Sequence, residues 1–260
     1  MALAVNRAKE RLQKGELAIG IGTRLVRNVD IVKVMKAAGY DWLFIDCEHG
    51  SMSVETACEI SVAAQDSGIA PIVRVPAGEL TLATRCLDGG ALGIVVPHVD
   101  TEAQAREIAD RLRYPPRGHR SVGGGQAQLD YAPMPLGELT AAIDGNTLVV
   151  VMIETPEAVA NADAIAAVPG IDILLIGAND LSMELGIPGD TKHPKIQAAA
   201  DAVVAACRKH GKWPGMGGAY TEELLKIYTA KGMKFMLAGN DLPMLVAAAR
   251  DHQKKVRSFQ

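Results

Sequence analysis

The stretch DWLFIDCEHG, residues 41–50, closes an apolar run with Asp46, Glu48 and His49. Three more charged groups stand out by position. Arg74 lies inside PIVRV between Val73 and Val75, Glu154 ends LVVVMIE, and Asp180 follows DILLIG in IGANDLS. Carboxylates hold hard cations or move protons, and an imidazole transfers protons near neutral pH. A guanidinium in an apolar strand needs an anionic partner. Each residue also has a plain structural reading. Glu154 would cap the helix begun by Thr155 and Pro156, and Asp180 would cap DLSMEL. Arg74 would pair with Asp46, and His49 would be a solvated surface residue. Four independent plain readings are a weaker account than one shared site.

The elements that must carry these residues alternate in kind. Strands are predicted at 17–22, 41–46, 71–75, 92–97, 148–154, 172–177, 213–217 and 234–239. Amphipathic stretches such as SVETACEISVAAQDSG and EAQAREIADRLR separate them, with Ser53, Thr101 and Pro156 at starts and Gly39, Gly68 and Gly232 at ends. Most strands are continuous apolar runs, the mark of parallel strands covered on both faces. Eight such units predict a (β/α)8 TIM barrel spanning 1–260 as one domain. No GxGxxG follows the first strand, which counts against a dinucleotide-binding open sheet. The Gly- and Pro-rich segment at about 114–147 is too long for an ordinary connection and is expected to be a lid over the active site.

In such a barrel, chemistry sits at the carboxyl ends of the strands. Asp46, Glu48, His49, Arg74, Glu154 and Asp180 all fall on that rim or point inward. Two carboxylates from neighbouring strand ends suit Mg2+ or Mn2+, with Co2+ also admissible. Such an ion chelates a 2-oxo acid, and an inward arginine supports the enolate oxygen.

Composition narrows the rest. The chain has 260 residues, 48% hydrophobic and 22% charged, with a net charge of −3. That balance offers no nucleic-acid surface, and no apolar run is long enough to span a membrane. Cys47, Cys58, Cys86 and Cys207 show neither zinc spacing nor a disulfide framework, so a reducing cytoplasm is expected.

Six stretches in order, DWLFIDCEHG, PIVRVP, ATRCLDGGALGIVVPHV, YPPRGHR, IETPEA and IGANDLSMELG, resemble the HpcH/HpaI family of metal-dependent (class II) pyruvate aldolases. The likeness runs from about residue 17 to 245. It implies a barrel of the phosphoenolpyruvate/pyruvate type and a homohexamer whose last helix is exchanged between neighbouring subunits. It further implies Glu154 and Asp180 as metal ligands and Arg74 as the holder of the pyruvyl keto oxygen. His49 would be the acid–base group, oriented by Asp88 with Asp46 in the same network. Backbone N–H groups of Gly177, Ala178, Asn179 and Asp180 would take the substrate carboxylate. The partners implied are a small 2-oxo acid and an aldehyde. Two positions depart from the family pattern. Met152 stands where many relatives carry glutamine, and GANDLS replaces GPADLS.

Rival readings are few. A Schiff-base aldolase needs an inward lysine at the catalytic rim, whereas Lys212 and Lys234 precede their strands. A lyase acting on a CoA thioester would use similar metal chemistry. GMGG (215–218) and AGND (238–241) would make a phosphate site in a binding barrel without aldolase activity.

Overall fold

Strands apolar at every position require cover on both faces, and a closed barrel ringed by helices supplies it. The computed structural model describes residues 3–260. Its strands are β1 (Ala18–Thr23), β2 (Trp42–Asp46), β3 (Ala70–Arg74), β4 (Gly93–Val96), β5 (Leu148–Ile153), β6 (Ile173–Gly177), β7 (Trp213–Gly217) and β8 (Phe235–Asn240). They close in chain order, every neighbouring pair is parallel, and β8 returns to β1. The protein is a (β/α)8 TIM barrel, and each expected strand lies within two residues of its place.

Helix α1 (Arg7–Gln13) precedes β1, and α2 (Asp30–Ala37), α3 (Val54–Ser67), α4 (Leu80–Asp88) and α5 (Glu102–Leu112) follow the first four strands. Helix α6 (Leu136–Asn146) precedes β5, after which come α7 (Pro156–Ala160) and α8 (Ala162–Ala167). Helices α9 (Ala178–Glu184) and α10 (Pro194–His210) follow β6, α11 (Glu222–Lys231) follows β7, and α12 (Asp241–Arg257) follows β8. Local chemistry sets several ends. Ser53 accepts the Thr56 N–H at the start of α3, and Thr101 and Gln104 form a capping box on α5. Gly68 and Gly232 end α3 and α11 with φ of 69° and 107°, a left-handed turn that glycine adopts without strain.

Side-chain alternation divides the core into two layers. Leu43, Ile45, Ile94, Val149 and Ile176 face the helices, whereas Trp42, Phe44, Ile72, Val150, Leu175 and Phe235 fill the barrel. Trp42 stacks on Phe235 with ring centroids 4.0 Å apart and donates its indole N–H to Ala18 O. Helix α1 closes the lower mouth, where Ala8 and Leu12 join the inner layer and Asn6 donates to Leu92 O.

Segment 114–147 does not cover the catalytic mouth of its own barrel. It leaves the end of α5 and leads into β5, so chain direction puts it at the amino-terminal rim. Its contacts agree: Gln128 donates to Leu87 O and Ala91 O, and its backbone O accepts from Ala4 N. The lid expected at this segment is therefore corrected. A long loop after a helix belongs to the lower rim, whereas a lid follows a strand.

Candidate active site

The carboxyl-terminal mouth opens into a cavity of about 350 Å3. Asp46, His49, Arg74, Gly177, Ala178, Asn179 and Asp180 line it, together with Met152 and Leu175 from the inner layer. Seven residues singled out in the sequence thus come together.

Arg74 and Asp46 are register partners at the ends of β3 and β2. The guanidinium forks onto the carboxylate, Nε donating to Oδ1 at 2.9 Å and Nη2 to Oδ2 at 2.6 Å. Nη1 pairs with Glu48 Oε2 at 2.9 Å, and the ring of Phe44 lies 5.0 Å from the guanidinium carbon. Arginine carries five N–H bonds, so its two amino groups retain donors for a ligand. Burial alone would raise the Asp46 carboxyl, but bonds from Arg74 and from the His49 and Glu48 N–H groups outweigh it. The net effect holds Asp46 below the ordinary carboxylate range. The Asp46–Arg74 pair is thus structural support and part of the cavity wall at once.

His49 is half exposed, and its Nε2 lies 3.7 Å from Glu48 Oε2. Asp46 meets the backbone N–H of His49. Glu48, bound to Arg74 and facing the imidazole, is the neighbour that sequence reasoning left without a role. Asp88 is not brought to His49 within this chain. It ends α4, which runs from the catalytic rim down to the opposite one, and it pairs there with Arg120 Nη2 at 2.6 Å.

Glu154 follows β5 and is 1% exposed. Thr155, not Glu154, caps α7 by accepting the Ala158 N–H, which leaves the glutamate free of that duty. Its Oε2 accepts the His98 N–H at 2.9 Å and lies 3.4 Å from His98 Nδ1. The other side of the carboxylate packs on Gly177. A Cβ there would sit 2.8 Å from Glu154 Cγ, 2.9 Å from Cδ and nearer still to Oε1. Burial pushes the Glu154 carboxyl up to about 7, the His98 N–H and ring oppose this, and the nearby Asp180 carboxylate adds to it. Asp180 lies in the first turn of α9, whose N-cap is Gly177, so it is not the cap residue. The first N–H groups of a helix lack intrahelical acceptors, and those of α9 lie on the cavity wall.

Two all-oxygen donors, one buried and destabilised by the other's charge, fit a hard divalent cation. Among the described residues no group of three or more His, Cys, Asp or Glu side chains gathers as a closed metal cage. The pair instead suits an open site completed by water and substrate oxygens. Among the described residues no lysine lines the cavity. Lys212 donates to Val168 O and Ile171 O, and Lys234 to Gly15 O, at the far rim. Gly218, in the GMGG turn, has φ of 85° and packs against Ala178 and Asn179, so close packing accounts for it.

Comparison with known proteins identifies relatives of the whole barrel. The model of the HpcH/HpaI aldolase/citrate lyase family matches residues 25–247. A 4-hydroxy-4-methyl-2-oxoglutarate aldolase of Hapsidospora irregularis is 40% identical, over 96% of this chain and 94% of the relative. A hydroxypyruvate/pyruvate aldolase of Pseudomonas aeruginosa is 35% identical, over 96% and 92%. The crystal structure of an HpcH/HpaI aldolase from Desulfitobacterium hafniense superposes with a TM-score of 0.91 at 30% identity, covering 98% of this chain and 97% of that one. The chain belongs to the HpcH/HpaI aldolase/citrate lyase family.

Proposed function

We propose that this protein is a carbon–carbon lyase that reversibly cleaves a 4-hydroxy-2-oxo acid to pyruvate, or a related 2-oxo acid, and an aldehyde. One observation carries the reading: a buried Glu154 carboxylate beside Asp180 shares one end of the barrel with Arg74 and His49. Names borne by relatives point the same way, from 4-hydroxy-4-methyl-2-oxoglutarate aldolase to 5-keto-4-deoxy-D-glucarate aldolase. They favour aldol cleavage over thioester chemistry or a binding barrel.

Glu154 and Asp180 would hold Mg2+ or Mn2+, which when bound supplies positive charge to the keto and carboxylate oxygens of the substrate. The N–H groups of Gly177 to Asp180 receive that carboxylate. The free donors of Arg74 meet the keto oxygen and bind it more strongly as it becomes an enolate oxygen. His49 takes the C4 hydroxyl proton, the C3–C4 bond breaks, and its electron pair passes into the enolate. A proton delivered to C3 completes pyruvate. Glu48, held by Arg74, orients the imidazole, a duty the family resemblance gave to Asp88.

On this reading the single-domain chain works in the cytoplasm as a homohexamer. Helix α12 supports assembly, because beyond Asp241 none of its residues is buried. Leu242, Met244, Leu245 and Val256 stay exposed, an apolar face suited to another subunit. Among the described residues no helix is long and apolar enough to cross a membrane.

The test is cleavage of 4-hydroxy-2-oxo acids with pyruvate as the detected product. Glu154→Ala and Asp180→Ala should each abolish metal-dependent turnover. Full activity in either variant removes the cation site.

A further inference from the structure

Arg24 stands one residue beyond β1, at the edge of the cavity, and neither the cation pair nor the enolate chemistry uses it. Its placement is built rather than incidental. The buried Asp241 carboxylate accepts the backbone N–H groups of Arg24, Leu25 and Val26, at 2.8 to 3.2 Å, and so pins the turn that carries it. The side chain is tethered by Nε alone, which donates to His49 O at 3.1 Å and lies 3.3 Å from Asp46 Oδ2. Among the described residues neither terminal amino group of Arg24 donates to the chain.

Charge balance assigns the free end a task. Asp46 is already matched by the shorter Arg74 fork, and Arg74 is matched in turn by Asp46 and Glu48. Among the described residues Arg24 is the cation of this wall with both terminal amino groups unengaged, whereas each amino group of Arg74 already pairs with a carboxylate. It borders two cavities, the catalytic one and a neighbouring one of about 340 Å3, and His49 and Asn240 border both with it. The second cavity therefore begins beside the proton acceptor, where the substituent on C4 of a bound aldol must lie. A planar guanidinium with both amino groups free binds a carboxylate through paired, charge-assisted hydrogen bonds.

Resting on the aldolase reading, we propose that Arg24 determines specificity by binding a second carboxylate carried on the aldehyde-derived half of the substrate. A dicarboxylic substrate is what the name of the Hapsidospora irregularis relative already states; the new element is the residue that reads the second carboxylate, which leaves with the carbonyl product.

A matched pair of substrates tests this. 4-Hydroxy-2-oxoglutarate and 4-hydroxy-2-oxopentanoate share the reacting atoms and differ by carboxylate against methyl on C4. Their kcat/KM values are compared for the wild type, Arg24→Gln and Arg24→Lys, with Mn2+ present. The wild type should favour the dicarboxylate. Arg24→Gln should lower that preference by about tenfold or more, the scale of a charge-assisted hydrogen bond, mainly through KM. Arg24→Lys should restore part of it. Equal losses on both substrates, or a wild type that cleaves the dicarboxylate no better, overturn the assignment. Metal-dependent exchange of pyruvate methyl protons, measured alongside, separates the two claims: the Arg24 assignment fails alone where exchange persists, and the aldolase reading fails where exchange and cleavage are both absent.

Discussion

Gly177→Ala is the smallest change that tests the placement of Glu154. Gly177 has φ of −91° and ψ of 88°, a negative φ that alanine can adopt, so backbone strain is not the issue. The added methyl meets the glutamate instead, 2.8 Å from Cγ and 2.9 Å from Cδ. Ordinary carbon contacts begin near about 3.5 Å, so the carboxylate must retreat by about half an ångström or more. That retreat also stretches its bond from the His98 N–H, now 2.9 Å. Displacing a ligand in this way should weaken Mn2+ binding by about 10- to 100-fold, the range seen when a ligand's support is lost. Turnover at fixed metal should fall by about 100-fold, as for a comparable misplacement of a reacting group. Titration calorimetry with Mn2+, steady-state cleavage and a thermal melt provide the three readings. A folded variant with unchanged Mn2+ affinity and unchanged turnover would refute the view that this carboxylate, in this position, holds the cation.

Arg74→Lys keeps the charge but loses the fork onto Asp46, and steady-state kinetics should show kcat reduced by about 100-fold or more; a wild-type rate would discard the enolate role. Asp46 also predicts a pH dependence with a definite sign. Its folded carboxyl lies below the ordinary value, so its contribution to stability is complete above the unfolded pKa of about 3.9 and is lost as pH falls through the lower folded value. Denaturant melts from pH 6 down to about pH 2.5 should therefore show a flatter acid limb for Asp46→Asn than for the wild type. Replacing Leu242, Met244 and Leu245 together by serine should reduce the assembled mass seen by light scattering, whereas an unchanged mass would remove α12 from the interface.

Much of the fold was legible because burial on both faces writes itself as contiguous apolar runs, as in LVVVMI and ILLIG. Trp42 to Asp46 could be recognised as a strand before any helix was placed. The polar rim was legible for a related reason: a charge that ends such a run has only the barrel mouth to occupy. Other residues obey a rule of chain direction. A helix in this fold returns the chain to the lower rim, so Asp88 at the end of α4 and segment 114–147 after α5 could not meet His49 in the same barrel. Arg24 and His98, and the role of Glu48, were hidden for a different reason. Each follows a strand, which is a signal, but their roles depend on three-dimensional partners: Arg74 for Glu48, the Asp241-pinned turn for Arg24, and Glu154 for a His98 held at φ of 54°.

The central claim is that the cavity forms an enolate from a 2-oxo acid with the help of a cation held by Glu154 and Asp180. Exchange of the pyruvate methyl protons in D2O, followed by NMR, tests it without any choice of aldehyde. The account predicts no exchange by metal-stripped protein, exchange after Mg2+ or Mn2+ is added, and its loss in Glu154→Ala. Folded protein that binds the metal and yet leaves the methyl protons in place would contradict it.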